Sequence, residues 1–338
     1  MSREGADTMA ERAGASTAAV WFVFEANRWL VAGVFGAGLW LAVVAVGVAH
    51  PTPAAELLAA GDPVDTLFQA LIAATVTVVT LVLTLSQLIL TQELGAVGDQ
   101  RNRMEGSMDF RADVADAVGI VVSPAEPSAF LRALVDAAAE RANAVRAALD
   151  DPADEALDAY LSSVTENAAA ASERLAGAEF GTFGVLRPAL DFNYSWKLYA
   201  GRRLLAEQGE TLPPAARDAL EDLVEVLELF GPAREHVKTL YFQWELSNLS
   251  RVLLLSAIPA LTVAITALVF FDPATTTGAT LGLDHALLVL ATAVTLTLVP
   301  FALMLAYILR IVTVTKRTLA IGPLILRETE RDRAPGEE

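Results

Sequence analysis

The sequence predicts an all-α integral membrane protein with four transmembrane helices in two hairpins and an acidic cytoplasmic helical bundle between them. Three observations carry that prediction. Four long stretches, 30–49, 67–90, 252–271 and 286–309, contain no Asp, Glu, Lys or Arg. The loops inside each pair of stretches, 50–66 and 272–285, contain no Lys or Arg either. The acid is concentrated in the interval between the pairs, so that a chain with 54% hydrophobic residues still carries a net charge of −17.

Taken in order, residues 1–29 read as a cytoplasmic or interfacial segment. They lack a basic run leading directly into an apolar core with a small-residue cleavage site, so the first span is expected to stay in the mature chain. The first hairpin, 30–90, holds spans of 20 and 24 residues, the second interrupted only by Gln69, Ser86, Gln87 and threonines. At about 1.5 Å per residue each crosses roughly 30 Å of hydrocarbon. The second hairpin, 252–309, repeats the pattern, with Pro259 and Pro300 as kinks of the kind membrane helices tolerate. Arg28, Arg101, Arg103, Arg251, Arg310, Lys316 and Arg317 flank the ends opposite the Lys- and Arg-free loops. An excess of basic residues marks the cytoplasmic side, which places both termini, including the 310–338 tail, in the cytoplasm of a multi-pass protein of the cell membrane. Trp21, Trp29, Tyr241, Trp244 and Tyr307 fall near the predicted inner ends, where amphipathic rings favour the interface.

The 91–251 region reads as solvated helices. Residues 92–250 contain 27 acidic and 14 basic side chains, a net −13 of the total −17. Ser128 is expected to cap a helix over 129–149, Asp151-Pro152 to start another running to about 176, and a third to span 188–208. In 215–230, Leu220, Val224 and Leu227 share one face at helical spacing, opposite Glu221, Asp222, Glu225 and Glu228. Gly231-Pro232 reads as a break, and the next helix, from Ala233, as a continuous rod into the membrane. No alternating β-branched run predicts a strand outside the spans.

Composition removes several function classes. There is no cysteine, which excludes disulfides, thiolate metal sites and a cysteine nucleophile. No phosphate-binding loop, dinucleotide fingerprint, nucleophile elbow or zinc-protease motif is present, so no catalytic residue, metal or cofactor is assigned. The acid excess, with no basic stripe, argues against nucleic acid. His50 and His285 share their loops with Asp62, Asp65, Asp272 and Asp284, but only Asp284-His285 are adjacent, and these read as solvated interfacial residues rather than a metal site. The cluster Phe192, Tyr194, Trp196, Tyr199, Arg202 and Arg203 reads as bundle core or domain junction ahead of a ligand pocket, and Gly33/Ala37 and Gly38/Ala42 as small-residue packing pairs.

The most suggestive pattern lies in the second span. Thr77, Thr80, Thr84, Gln87 and Thr91 are spaced 3, 4, 3 and 4 apart, which puts them on one stripe of a helix. One reading is a pore face, because ions crossing hydrocarbon need polar lining at every turn. The other is that the threonines bond their own preceding carbonyls or hold neighbouring helices. Glu93, Asp99, Arg101 and Arg103 follow at the expected inner mouth, where they read as a charge ring or as helix stop and topology anchors.

With only three lysines, Lys197, Lys238 and Lys316, among 24 basic residues, the composition resembles that of salt-accumulating archaea. The second span and its continuation, residues 86–95 with the sequence SQLILTQELG, resemble an uncharacterised four-span membrane protein family of haloarchaea. The order of hairpin, cytoplasmic helices, hairpin and tail also resembles the layout of bestrophin anion channels, pentamers whose second membrane helix lines the pore. Thr77, Thr80 and Thr84 stand where the bestrophin neck would be apolar, so no bestrophin functional residue is carried over. The expectation is a passive ion channel, a homo-oligomer in the lipid bilayer that passes inorganic ions. The alternative is a non-catalytic membrane scaffold or sensor whose acidic bundle binds a protein partner of unknown identity.

The orientation has a direct check. Asn193-Tyr194-Ser195 and Asn248-Leu249-Ser250 match the glycosylation acceptor pattern on the predicted inner side. Mass spectrometry of the protein from its native host is expected to find both asparagines bare; sugar on either one contradicts the orientation.

Overall fold

The computed structural model describes residues 21–22, 26–150 and 154–317; the side chains of residues 88, 89, 92, 93, 316 and 317 lie outside the description. The expected segment before residue 21, the Asp151-Pro152 helix start and the tail beyond 317 therefore lie outside the described residues. What is described is helical apart from one short hairpin: α1 (Arg28–Ala49), α2 (Ala54–Ala59), α3 (Pro63–Glu93), α4 (Val97–Val118), α5 (Pro127–Ala147), α6 (Glu155–Leu175), α7 (Phe183–Asp191), α8 (Tyr194–Gln208), α9 (Pro214–Phe270), β1 (Ala279–Thr280), β2 (Leu283–Asp284), α10 (His285–Thr297) and α11 (Val299–Arg317).

The chain divides into two compact units, one built on Gly95–Gln243 and the other on Trp21–Leu94 with Trp244–Thr313. The first is a helical bundle. Its core takes Leu131, Leu134, Val135, Ala138 and Ala142 from α5 and Leu157, Leu161, Val164 and Ala168 from α6. Leu220, Leu223, Leu227 and Phe230 of α9 complete it. These residues recur every three or four positions, so each helix buries one stripe and leaves its charged face to solvent. Most of α4 is exposed, with Val114 and Ala115 buried in its last turn. It ends at Gly119, whose φ of 77° only glycine adopts without strain; its N–H closes the helix onto Ala115 and Asp116.

The second unit holds the apolar helices. Among the described residues three helices, α1, α3 and the 57-residue α9, are long and apolar enough to cross a membrane, and α10 with α11 supplies a fourth candidate if that pair, bent by 47°, is one span. This is consistent with a multi-pass membrane protein. α1 packs on α10 through Val44, Leu287 and Ala291, with Trp40 donating its indole N–H to Thr292 Oγ1 at 3.2 Å. A Cβ on Gly47 would overlap Leu287, and one on Gly36 would press on Thr295, so these two glycines set the approach. Among the described residues nothing lies within 4 Å of a Cβ position on Gly33 or Gly38, so those small-residue pairs meet no partner there. Val64, Phe68 and Leu71 of α3 pack with Ala264 and Ala267 of α9 and with Leu290 and Val294 of α10.

Several local expectations are corrected. Gly231-Pro232 does not break the chain, because α9 is one helix from Pro214 to Phe270. Phe230 and Ala233 are buried on either side, and Gly231 lies so close to Tyr194 that a Cβ would sit 3.0 Å from its ring. Tertiary packing outweighs the backbone hydrogen bond that Pro232 forgoes. Pro300 behaves as expected of a kink: with no N–H to offer Leu296, it stands two residues after the break at Leu298. Ser128 is not a cap; it lies inside α5, and its hydroxyl donates to Glu126. The 188–208 segment is two helices, parted at Phe192 and Asn193. The loop before α10 carries the β1–β2 pair, which turns through Leu281 and Gly282, both at positive φ.

Candidate functional site

The site is built on α3. Asp62 precedes it, Pro63 opens its first turn, where a missing N–H costs nothing, and Asp65 offsets the positive end of the helix dipole. Val64, Phe68, Leu71, Thr75, Val78 and Val82 are buried, at spacings of 4, 3, 4, 3 and 4. At about 100° per residue the predicted stripe falls roughly opposite this packed face. Thr77, Thr80, Thr84, Gln87 and Thr91 are all exposed. Thr66, Gln69 and Ala73 continue the same stripe toward the start of the helix, and they too are exposed. From Thr66 to Thr91 the band therefore contains only Thr, Gln and Ala. Apolar Val76, Leu83 and Leu90 flank it on one side and Leu81 on the other, all exposed.

The hydroxyls on this band are not idle. Thr77 donates to Ala73 O at 2.8 Å, Thr80 to Val76 O at 2.9 Å, Thr84 to Thr80 O at 3.0 Å and Thr91 to Gln87 O at 2.8 Å. A carbonyl can only accept, so each hydroxyl proton is committed to the backbone while the oxygen's lone pairs remain. Gln69 and Gln87 lie about 27 Å apart along the axis, close to the roughly 30 Å of a hydrocarbon core.

The four residues expected at the inner mouth are divided between the units. Glu93 ends α3, its side chain outside the described residues, while Asp99, Arg101 and Arg103 are exposed on α4. Arg101 Nε donates to Glu105 at 2.7 Å, an i,i+4 pair within α4.

Two sets of side chains singled out above have mainly structural partners. His285 contacts Thr280 Oγ1 at 2.7 Å, and Asp284 accepts from the backbone N–H of Ala286 and of Ala55, which ties β2 to α2 and α10. Among the described residues no group of three His, Asp or Glu stands close enough to hold a metal ion. The aromatic cluster belongs to the bundle: Phe192 stacks edge-on with Phe230 at 4.9 Å, and Lys197, fully buried, lies 5.5 Å over Phe192 and donates to Ser163. Tyr160, against Trp196, is buried as well, and burial pushes its phenol well above the ordinary value. Burial alone would also raise the Glu235 carboxyl, but Lys238 and Arg234 beside it hold it below the ordinary value.

One charged set was missed from the sequence. Arg310 donates to Glu245 Oε1 at 2.9 Å and to Ala26 O at 3.3 Å, with the two side chains only 11% and 6% exposed. Buried Arg28 lies 6.0 Å over the ring of Tyr307, whose hydroxyl accepts from Asn248 at 3.1 Å. Ser86 and Ser250 meet at 2.7 Å. The set joins α1, α3, α9 and α11. Glu245 continues the buried stripe of Leu249, Leu253, Ser256, Ala260 and Ala264, and that spacing was the available signal that it needed a partner.

A model of a family of unknown function, DUF7972, matches residues 1–337. The chain belongs to the DUF7972 family. No curated protein and no solved structure matches it. Membership of DUF7972 assigns no chemistry, so the functional reading rests on the residues.

Because Glu245 is buried and Arg310 is only 11% exposed, removing one leaves the other without its main partner, at a cost of about 3 kcal/mol. Thermal unfolding in detergent is expected to show Glu245→Ala strongly destabilised, with Arg310→Met added to it recovering most of the loss. Wild-type stability of Glu245→Ala alone contradicts the buried pair.

Proposed function

We propose that the protein is an oligomeric passive ion channel of the cell membrane, with four spans, both termini cytoplasmic, and α3 lining the pore. The observation that supports this reading is the polar band of α3 on the face opposite its packed side. A helix that needed only to fill a membrane would carry leucine or valine there, as the flanks of the band do. Amides in hydrocarbon without partners cost several kcal/mol, and Gln69 and Gln87 on this face favour water over lipid. Symmetry supplies the remainder: copies of one chain around an axis each present the same stripe, and the flanking apolar residues pack between neighbours. The uncovered Gly33/Ala37 and Gly38/Ala42 pairs of α1 suit close contact between copies. The acidic surface of the bundle suits a high-salt solvent, where a screening length of about 3 Å makes a large net charge tolerable.

A second reading has its own support. Back-bonded threonines need no water, and residues 97–109 of α4, with Met104 and Met108, are exposed. Both suit a non-catalytic scaffold or sensor that binds a protein partner.

The two separate by flux. In liposomes reconstituted with the full chain, Gln87→Leu is expected to lower passive ion flux by roughly tenfold, the scale of an added barrier of about 1.4 kcal/mol, without changing oligomer size. Unchanged flux removes Gln87 from the pore, and a monomer that carries no flux favours the scaffold.

A further inference from the structure

We infer that the ion carried along the α3 band is a monovalent cation. This rests on the pore reading above and adds the sign and class of the ion. A freely rotating hydroxyl serves either sign, offering its proton to an anion or its lone pairs to a cation. The hydroxyls of Thr77, Thr80, Thr84 and Thr91 are not free to choose, because each proton is held by a carbonyl one turn back. What remains at these four positions is oxygen lone pairs, turn after turn, while the amides of Gln69 and Gln87 on the same band can turn an oxygen or an N–H2 group to the ion. An anion passing such a face meets acceptors, which repel it; a cation meets partial replacements for its hydration shell.

The formal charges at the Asp62 end of α3 agree with this, whereas Arg101 and Arg103 follow in sequence beyond its other end. Residues 29–100 contain no Lys or Arg, and the charged residues there are Glu56, Asp62, Asp65, Glu93 and Asp99. Asp62 precedes the first turn of α3 without capping it through its side chain, and Asp65 lies in that turn; both are exposed. An open depression at this end is lined by Asp62 and Thr66, with apolar Ala60, Pro63, Leu67 and Ala70. Carboxylates at the end of a polar pore raise the local concentration of cations. A ladder of single hydroxyl oxygens suits a monovalent ion that keeps part of its water. The sign is opposite to the one that the bestrophin-like layout suggests.

The test is the reversal potential of the full chain in planar bilayers under a roughly tenfold KCl gradient, with K⁺ and Cl⁻ as the probes. The expected result is a potential on the potassium side, with K⁺ favoured over Cl⁻ by about tenfold or more, as for pores ringed by acidic and oxygen ligands. Thr80→Val with Thr84→Val keeps shape and removes the two hydroxyl oxygens together with their bonds to Val76 O and Thr80 O, and it is expected to cut potassium conductance several-fold at unchanged oligomer size. A potential on the chloride side, or an undiminished potassium conductance in the double variant, overturns the cation assignment while leaving the pore in place. Absence of any conductance overturns both.

Discussion

A polar group carried to membrane depth must find its partner within the protein or in water that the protein admits. Much of the second unit follows from that constraint. Its long apolar segments are helical, so their amides are satisfied along the chain. Five threonines of α3 bond the turn before them: Thr75 does so while buried, and Thr77, Thr80, Thr84 and Thr91 do so on the open face. Its buried charges are gathered into one set, where Arg310 meets Glu245 and Arg28 lies over Tyr307. The uncovered band of α3 is a place where the constraint is not met by the described chain alone, because the amides of Gln69 and Gln87 are exposed there.

The two units solve the burial problem differently. The bundle buries leucine and alanine stripes and leaves most carboxylates outside, buried Asp191 being paired with Arg174, so its surface is strongly acidic. The apolar unit packs through small residues, with Ala260, Ala264 and Ala267 of α9 and Ala291 of α10 buried where helices meet. Lipid is as apolar as leucine, so close backbone approach and specific polar contacts, rather than burial, hold such helices together. The Ser86–Ser250 and Asn248–Tyr307 bonds are contacts of that kind.

The helices were legible in the sequence where hydropathy or period spoke alone. The stretches 30–49 and 67–90 lie inside α1 and α3, and the stripe of Leu220, Val224 and Leu227 is buried as its spacing implied. The misreadings arose where tertiary contacts decide. Gly231-Pro232 carries a strong breaker signal, yet packing against Tyr194 keeps α9 intact, whereas Pro300, with the same chemistry, follows a real break. Glu245 was passed over because it stands seven residues before the apolar run and looked like part of the solvated region. Its period, not its hydropathy, placed it on the buried stripe. For the α3 band, the spacing of five residues was visible, but its extension through Thr66 and Gln69 became clear only against the packed face.

Whether that band meets water is the question on which the function turns, and the absence of cysteine makes it directly measurable. Single substitutions Thr77→Cys, Thr80→Cys and Thr84→Cys on the band, and Val76→Cys and Leu83→Cys on its flank, can be exposed to a charged thiol reagent in the reconstituted protein. A pore face predicts rapid modification at 77, 80 and 84, with a change in ion flux, and protection at 76 and 83. Protection at all five positions, or equal reactivity on band and flank, would contradict it.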